Sequence, residues 1–331
     1  LEAELARRCQ VPEVVACANG TDALQLALRA LGVGEGDLVL IPDATFWATF
    51  EAVVNCGARP VTVDIDPEDL QLDLGLLEEA INRFRPAAAI LVHLYGWGSA
   101  KLDEIRDLCR RQGVALVEDG AQAFGVEWKG ESLYRGATVS TISFYPAKVL
   151  GACGDAGAVC CSTPELAARI RQLGNHGRAG HYDHPVVGWN SRMGGFEAAY
   201  LNLSLEYLDD RLVSRRRLAQ RYRESLTRLG LPICGPPIGY LENGYLNVCL
   251  PSPEEREPLA ARLQEKGIGC GRVYPGSMSK QSGAADWLAG QVGGEVAERL
   301  SQTVLNLPLF AYMRDEEQEE VLVAVAEALA G

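Results

Sequence analysis

The chain contains no apolar run of the length that a helix needs to cross a bilayer, which excludes a helical membrane protein. Histidine is scarce, with four residues in 331. Three of them lie close together, but Gly177, Gly180 and Pro185 stand among them, so a loop is expected there rather than a zinc site. The ten cysteines include no Cys-x-x-Cys pair. We therefore expect no structural metal, and thiols that are reduced and buried as small hydrophobic groups.

Positive charge is also in short supply. The chain has 31 Lys and Arg against 44 Asp and Glu, a net charge of −13, which argues against a nucleic-acid partner because phosphate binding needs clustered basic residues. One arginine-rich stretch, residues 211–223, has helical spacing and is expected to be a solvated helix face. Residues 1–8 are charged and amphipathic rather than a signal sequence, so a cytoplasmic protein is expected. The sequence begins with Leu1 and not with Met, so a further segment before it stays possible.

What is present is a globular composition, 47% hydrophobic and 23% charged, with apolar runs that alternate between strand and helix spacing. The predicted elements are helix 22–31, strand 38–41, helix 47–56, strand 60–63, helix 74–82, strand 88–93, helix 102–112, strand 114–117 and strand 156–161. This alternation predicts an α/β fold with a mostly parallel sheet flanked by helices.

A second, smaller domain is expected after a long charged helix over residues 205–229. Strands are predicted at 246–250 and 269–273, which makes the C-terminal part α+β. We place the large domain at residues 1–207 and the smaller one at 208–331. No low-complexity linker separates them, so the two domains should share an interface and a cleft.

Lys148 is the most informative residue. It ends the run Ser143-Phe144-Tyr145-Pro146-Ala147-Lys148 and is followed by closely spaced glycines. An aldehyde cofactor needs an amine that forms an imine near a phosphate anchor, and Ser143 can supply that anchor. Most lysines are solvated surface charges, so this run alone is compatible both with a cofactor-binding lysine and with an ordinary surface lysine.

Two further segments fit the same cofactor. Asp119 follows an apolar strand, where a buried carboxylate could pair with a protonated pyridine nitrogen. The alternative is a helix N-cap. Gln122 could hydrogen-bond a ring hydroxyl, or be a surface glutamine.

Asn19-Gly20-Thr21 precedes a predicted helix, and its backbone N–H groups with the Thr21 hydroxyl suit a phosphate. Many helices begin in this way with nothing bound. Phe46 or Trp47, after the strand ending near Pro42, could stack on a flat heterocycle, or either ring could lie in the core.

In order and spacing these motifs resemble the DegT/StrS family of sugar aminotransferases, pyridoxal 5'-phosphate enzymes of fold type I. The resemblance covers almost the whole chain. It rests on five ordered segments, residues 19–24, 57–66, 118–123, 143–148 and 188–193. It implies that Lys148 holds the cofactor as an internal aldimine, that Asp119 pairs with the ring nitrogen and that Gln122 contacts the ring oxygen.

The resemblance also implies how the rest of the cofactor is held. Phe46 would stack on the ring, and the phosphate would be bound by Gly20, Thr21 and Ser143. Asn190 would reach the phosphate of the neighbouring subunit. The expected assembly is therefore a homodimer with shared active sites.

The implied reaction transfers an amino group, usually from glutamate, to a keto group on a nucleotide-linked deoxysugar, for polysaccharide or antibiotic sugar biosynthesis. Relatives with histidine in place of the lysine perform dehydration, so Lys148 favours amino transfer. Arg178 is a candidate for a substrate phosphate, although an exposed loop arginine without a role is equally compatible.

The chain departs from the family pattern at the substrate side. Many relatives carry Tyr-Pro-x-Pro-Leu-His, whereas this chain reads Tyr274-Pro275-Gly276-Ser277-Met278-Ser279 and lacks the histidine. Gly194 and Gly195 stand where relatives place acidic residues. A keto-cyclitol acceptor therefore stays an alternative.

Three other classes compete. Aldolases and desulfurases share the lysine and the aspartate, but many place His after the aspartate, so Gln122 favours the sugar branch. A non-catalytic sensor or regulator could retain the fold. A dinucleotide-dependent oxidoreductase lacks its three spaced glycines here.

Overall fold

The computed structural model describes residues 1–330, and a large twisted sheet with helices on both faces is its main feature. The helices are α1 Glu2–Cys9, α2 Gly20–Ala30, α3 Trp47–Asn55, α4 Leu74–Phe84, α5 Leu102–Gln112, α6 Pro164–Gly174, α7 Gly195–Leu205, α8 Leu208–Arg228, α9 Pro253–Glu265, α10 Glu295–Thr303 and α11 Asp315–Ala330. The strands are β1 Glu13–Cys17, β2 Leu38–Pro42, β3 Arg59–Val63, β4 Ala88–Val92, β5 Ala115–Asp119, β6 Glu127–Trp128, β7 Glu131–Ser132, β8 Val139–Ser143, β9 Gly157–Cys161, β10 Ile233–Cys234, β11 Tyr240–Leu241, β12 Val248–Cys249 and β13 Gly290–Val292.

Eight strands form the central sheet in the order β1-β9-β8-β5-β4-β2-β3-β13. All neighbours from β8 to β13 run parallel, and β9 runs antiparallel to both β1 and β8. Strands covered on both faces by helices have apolar residues at successive positions, as Ala88–Val92 does. The predicted α/β class with a mostly parallel sheet is confirmed.

The N-terminal elements agree closely with the sequence pattern. Each of those predicted between residues 22 and 117 ends within two residues of the observed element. Local signals explain this agreement. Gly113 ends α5 in the left-handed conformation at φ 68°, which lets the chain reverse and enter β5 within two residues.

The C-terminal predictions were less accurate. The strand predicted at 246–250 is reduced to β12, and the one at 269–273 is wrong. In that segment only Gly271 forms a bridge, to Asn306. The amide of Val273 donates instead to Asn306 Oδ1 at 2.9 Å. A side-chain amide therefore replaces the next ladder partner, and no strand forms.

Two adjacent cysteines show how the sheet divides the core. Cys160 belongs to the core on one face of the sheet, with Leu5 and Phe144. Cys161 belongs to the core on the opposite face, with Val15 and Ile170, because successive side chains of a strand point to opposite faces. All ten cysteines are free thiols. The expectation of buried thiols fails at Cys153, which is exposed.

A separate core lies beneath the C-terminal helices α8, α9 and α11. Leu218, Tyr222 and Leu226 face it from α8 at the spacing of an amphipathic helix. After α9 the chain returns to the large sheet, where β13 pairs with β3. The division of the chain into domains at residue 207 stays a prediction.

The arginine-rich stretch lies on α8, but it is not the solvated face that the sequence suggested. Arg215 and Arg216 are half-buried, and their guanidinium groups donate to the backbone carbonyls of Gly244 and Glu242 at 3.1 and 2.6 Å. Arg217 pairs with Asp315 of α11. The stretch thus joins α8 to neighbouring segments.

Within residues 1–330, no helix combines the length and the apolar character needed to span a membrane. The same residues include no cluster of three or more His, Cys, Asp or Glu side chains arranged to hold a metal ion. The cytoplasmic location stays a prediction.

Glu118, the residue before the end of β5, is buried in an ion network. Its carboxylate accepts from Arg106 Nε and Nη2 at 2.7 and 2.8 Å, and lies 3.0 Å from His93 Nε2. Burial opposes the charged form, but hydrogen bonds from His93 and Arg106 outweigh it and lower the pKa of Glu118. These bonds hold the end of β5 against β4 and α5.

We expect Arg106→Ala to destabilise the protein by about 3 kcal/mol, because it leaves the Glu118 charge buried without its main partner. The lowered pKa of Glu118 stabilises the fold above the ordinary glutamate range, and this contribution is lost as pH falls through the folded value. The variant should therefore unfold at a higher pH than the parent in acid titration. Urea unfolding at neutral pH and in acid measures both effects.

Arg110→Ala is the matched control, since Arg110 lies on the same helix and pairs with Asp107 in an exposed bridge. It should cost less than about 1 kcal/mol. Equal losses for the two variants would show that the buried network does not stabilise β5.

Candidate active site

A cavity of about 370 Å³ opens at the edge of the central sheet where the parallel strands end. Its wall includes Val92, Asp119 and Ser143, the last residues of β4, β5 and β8. Ligands in open α/β sheets bind at this edge. Every predicted site residue except Asn190 lines the cavity, namely Gly20, Thr21, Phe46, Asp119, Gln122, Ser143 and Lys148.

The first turn of α2 forms one end of the cavity. The Asn19 side chain caps the helix by accepting from the amide of Asp22 at 2.8 Å. The N–H groups at positions 20 and 21 precede the first intrahelical bond, so they are free to meet an anion. A Cβ on Gly20 would lie 2.8 Å from Ser143 Cβ. Only glycine lets the helix start approach the Ser143 hydroxyl this closely.

Asp119 ends β5 with its carboxylate buried. Its Oδ1 accepts from the amide of Ala121 at 2.9 Å and from the Thr141 hydroxyl at 3.4 Å. No helix begins here, because residues 121–125 form a turn, so the helix-cap alternative is wrong. Burial raises the pKa of the Asp119 carboxyl, and the bond from Ala121 and the charge of Lys148 act against that rise. A cationic ligand atom opposite Asp119 would stabilise its charged form.

Lys148 is half-buried in the cavity wall, and its amine does not extend into solvent as a surface lysine would. Its Nζ donates to the phenol oxygen of Tyr245 at 3.4 Å and lies 5.1 Å from the centre of that ring. Burial lowers the pKa of the Lys148 amine, while the charge of Asp119 works to raise it. A lowered pKa increases the fraction of free base, the form that attacks an aldehyde.

Gln122 is buried and not a surface glutamine. Its Oε1 accepts from the amide of Tyr95 at 2.6 Å, and its Nε2 donates to the hydroxyl of Tyr274 at 3.0 Å. Both ends of the side chain are therefore held beside the cavity. Its contact with a ring oxygen stays a prediction.

Of the two adjacent aromatic residues, Phe46 faces the cavity. Its ring is 56% exposed and lies 5.6 Å from the Tyr274 ring at a tilt of 36°. Trp47 instead stacks on Phe50, with ring centres 4.7 Å apart, and packs against the core. Phe46 is free to stack on a flat ligand.

Two predicted residues lie elsewhere. Asn190 is exposed and pairs with Asn175 in an isolated bridge, so its role toward a neighbouring subunit stays a prediction. Arg178 is exposed, and its Nε donates to the carbonyl of Gly180 at 2.6 Å. Neither residue lines the cavity.

The cavity also has residues that local sequence did not reveal. Tyr245, Tyr274 and Asp155 line it. The sequence did indicate Tyr274 indirectly, because this residue begins the segment that corresponds to the Tyr-Pro-x-Pro-Leu-His stretch of the family. Tyr245 had none, because it is 97 positions from the lysine that it contacts.

Ser279, at the position of the missing histidine, does not line the cavity. Its amide and hydroxyl donate to the two carboxylate oxygens of the buried Asp43, at 2.7 and 2.8 Å. Gln291 Nε2 reaches the same carboxylate at 3.3 Å. Ser279 therefore anchors the segment that carries Tyr274 to the end of β2.

These residues fit a phosphorylated aldehyde cofactor with a flat ring. The cavity contains one amine with a lowered pKa, a buried carboxylate, an exposed aromatic ring and a helix start that a Cβ at Gly20 would block. Lys148 would bind the aldehyde, Asp119 would face the ring nitrogen, and Gly20, Thr21 and Ser143 would hold the phosphate.

Comparison with known proteins agrees with this geometry. A family model described as the DegT/DnrJ/EryC1/StrS aminotransferase family matches residues 1–326. A UDP-2-acetamido-2-deoxy-3-oxo-D-glucuronate aminotransferase of Pseudomonas aeruginosa is 38% identical over 316 residues, covering 95% of this chain and 85% of its own. A dTDP-3-amino-3,4,6-trideoxy-alpha-D-glucose transaminase of Streptomyces venezuelae is 37% identical over 332 residues, covering 98% and 85%.

Among solved structures, NtdA of Bacillus subtilis with bound cofactor PMP superposes with a TM-score of 0.91 at 30% identity. The match covers 100% of this chain and 76% of that one. The arrangement of helices and strands is therefore that of proteins that bind the aminated form of the cofactor.

We expect Asp119→Asn to shift cofactor capture by the apoprotein to lower pH. The charge of Asp119 raises the pKa of Lys148, so removing it should lower that pKa. Capture needs the free amine, and its rate rises with pH through the lysine pKa. Stopped-flow absorbance of pyridoxal phosphate binding across pH measures the midpoint.

Asp155→Asn is the control, since Asp155 lines the same cavity but is exposed, where water and salt screen its charge. Its midpoint should match the parent. An unchanged midpoint in Asp119→Asn would mean that the two groups are not coupled.

Proposed function

Since the chain belongs to the DegT/DnrJ/EryC1/StrS aminotransferase family, we propose that it transfers an amino group from an amino-acid donor, glutamate in the first instance, to a keto group on a nucleotide-linked sugar. The cavity around Lys148 and Asp119 is the observation that carries the proposal. The cavity wall contains a single lysine and would therefore bind a single cofactor. The donor and the acceptor would have to use that cofactor one after the other.

Family membership confirms the predicted resemblance, the aminotransferase activity and pyridoxal phosphate as cofactor. When bound, pyridoxal phosphate supplies an electrophilic carbon and a ring that accepts electron density. Asp119, which is buried, would face the ring nitrogen and favour the protonated ring. Lys148 would hold the aldehyde of the cofactor, and its amine, when free, would be placed to accept and return a proton in the cavity.

The acceptor class rests on the relatives. The Pseudomonas protein is named for a UDP-linked 3-oxo sugar acid and the Streptomyces protein for a dTDP-linked trideoxy sugar. Their sugars and nucleotides differ, while both names describe nucleotide-linked sugars. This shared chemistry supports a nucleotide-linked keto sugar over a keto-cyclitol. The intact cavity around Lys148 argues against a sensor that has lost its chemistry.

We expect the purified protein with pyridoxal phosphate to show the visible band of the lysine-bound cofactor, and glutamate to convert it to the aminated form. Keto sugars linked to UDP or dTDP should then restore the band. Lys148→Ala should lack the band and transfer amino groups about 10²–10⁴-fold more slowly, because it has lost the proton-carrying amine.

Lys101→Ala, which removes an exposed lysine outside the cavity, should behave as the parent. Restoration of the band by keto-cyclitols alone would overturn the proposed acceptor. A parent protein that forms the band but reacts with no keto substrate would favour the sensor.

We also propose that the protein is a homodimer whose subunits meet beside the cavity. An apolar stripe runs along the outer face of α7 and beyond its end, with Phe196 75%, Tyr200 41%, Leu203 56% and Tyr207 52% exposed. Exposed patches of this kind mark protein interfaces.

The position of α7 selects a second copy of the chain as the occupant. Its inner residues Leu201 and Leu205 pack with Phe144 and Leu150 of the Lys148 loop. A subunit seated on the outer face would therefore lie next to the cavity mouth, where Phe46 and Tyr145 are also exposed. This position would allow Asn190 of one subunit to approach the cofactor phosphate of the other.

We expect sedimentation to give twice the chain mass for the parent and a shift to monomer for Phe196→Glu, because a charge in an apolar interface is costly to bury. Val323→Glu, at a 48% exposed position on α11, should remain dimeric. A monomeric parent protein, or a Phe196→Glu variant as dimeric as the control, would contradict this interface.

A further inference from the structure

Tyr245 is the side chain that contacts the reactive amine. Within residues 1–330 it forms the one side-chain hydrogen bond of Lys148 Nζ, at 3.4 Å to the phenol oxygen. The ring lies beneath the same nitrogen, 5.1 Å from Nζ to its centre. Tyr245 thus contacts the lysine through both its hydroxyl and its ring, from a segment outside the central sheet.

The backbone of Tyr245 is fixed by Asn243, which is fully buried. Asn243 Oδ1 accepts from the amide of Tyr245 at 2.9 Å. Its Nδ2 donates to the carbonyls of Gln122 and Phe124 at 2.9 and 3.0 Å. Tyr245, which contacts Lys148, is therefore tied to the turn that follows Asp119, whose charge acts on the same amine.

Arg215 holds the residue between them. Gly244 has φ 65°, and a Cβ there would lie 2.7 Å from the backbone of Arg215. Arg215 Nη1 donates to the carbonyls of Gly244 and Leu309 at 3.1 and 3.3 Å. The close approach of the two backbones and the two hydrogen bonds from Arg215 leave this segment little freedom to move.

We propose that Tyr245 is a positioning residue for the reaction. Its hydroxyl holds the Lys148 amine in the cavity wall and orients it whenever the amine is not attached to the cofactor. The hydrogen bonds of Asn243 fix the position of this hydroxyl relative to Asp119. The inference rests on Lys148 as the cofactor-binding amine.

The sign of the effect follows from the hydrogen bond. A phenol oxygen accepts from the ammonium form more strongly than from the neutral amine, because bonds to charged donors are the stronger ones. The bond therefore favours the charged lysine and offsets part of its burial. Removing the hydroxyl should lower the pKa of Lys148 and leave the amine less ordered.

Tyr245→Phe is the test, since it keeps the ring and every backbone bond and removes only the hydroxyl. In the apoprotein, the pH midpoint of pyridoxal phosphate capture should fall below that of the parent. In the loaded enzyme, kcat should fall about tenfold, with the KM for glutamate within a factor of two. Urea unfolding should match the parent.

Tyr274→Phe is the matched control. It removes another phenol of the same cavity, one that bonds Gln122 and not Lys148, so its capture midpoint should stay at the parent value. A parent midpoint and a parent kcat in Tyr245→Phe would overturn the proposal. A midpoint that falls equally in both variants would also overturn it, because the effect would then belong to cavity polarity.

Failure of the premise gives a different result. If Lys148→Ala captured the cofactor with the pH profile of the parent, Lys148 would not be the binding amine, and both the proposed function and the role of Tyr245 would fail. If Lys148→Ala fails to capture and Tyr245→Phe is unchanged, only the role of Tyr245 fails.

Discussion

The structure depends on a carboxylate that is buried at the end of β5. Asp119 is removed from water with an amide and a hydroxyl as its hydrogen-bond donors, and Lys148 is a favourable charge nearby. Burial of an ion is unfavourable unless its surroundings compensate. The surroundings offset part of this cost, although the pKa of Asp119 stays raised. They do so because β4, β5 and β8 are adjacent and parallel, which brings Thr141 and the Lys148 loop to the same edge. The surroundings of the Asp119 carboxyl are therefore set by strand order.

Close backbone packing is the second requirement. Gly157 of β9 lies against the start of α2, where a Cβ would come within 2.3 Å of the Asn19 carbonyl. With Gly20 against Ser143, this makes the helix start and the end of β8 neighbours. The start of α2 and the end of β8 are thus held together at two positions that accept no side chain, and the distance between them cannot adjust to a larger residue.

Sequence reasoning succeeded where the physics is local. The elements from residue 22 to 117 follow from short apolar runs and helix ends, and Asp119, Ser143 and Lys148 belong to recognisable segments. It failed where long-range contacts decide. The segment at 269–273 has strand-like residues, yet its partner is the side chain of Asn306. Tyr245 and Asn243 belong to a segment that follows α8 in the chain, far from the other site residues in sequence. Arg215 is half-buried, although the charged residues around it suggested a solvated helix face. No local pattern encodes such pairings.

The last strand of the sheet has a consequence for synthesis. Since β13 spans Gly290–Val292 and covers the edge of β3, that edge stays unpaired on the ribosome until residues 290–292 have been synthesised. Unpaired parallel edges are prone to join other chains. Nascent protein would therefore expose this edge while residues 64–289 are made, and the sheet would close only after β13 has followed Lys148 by more than a hundred residues.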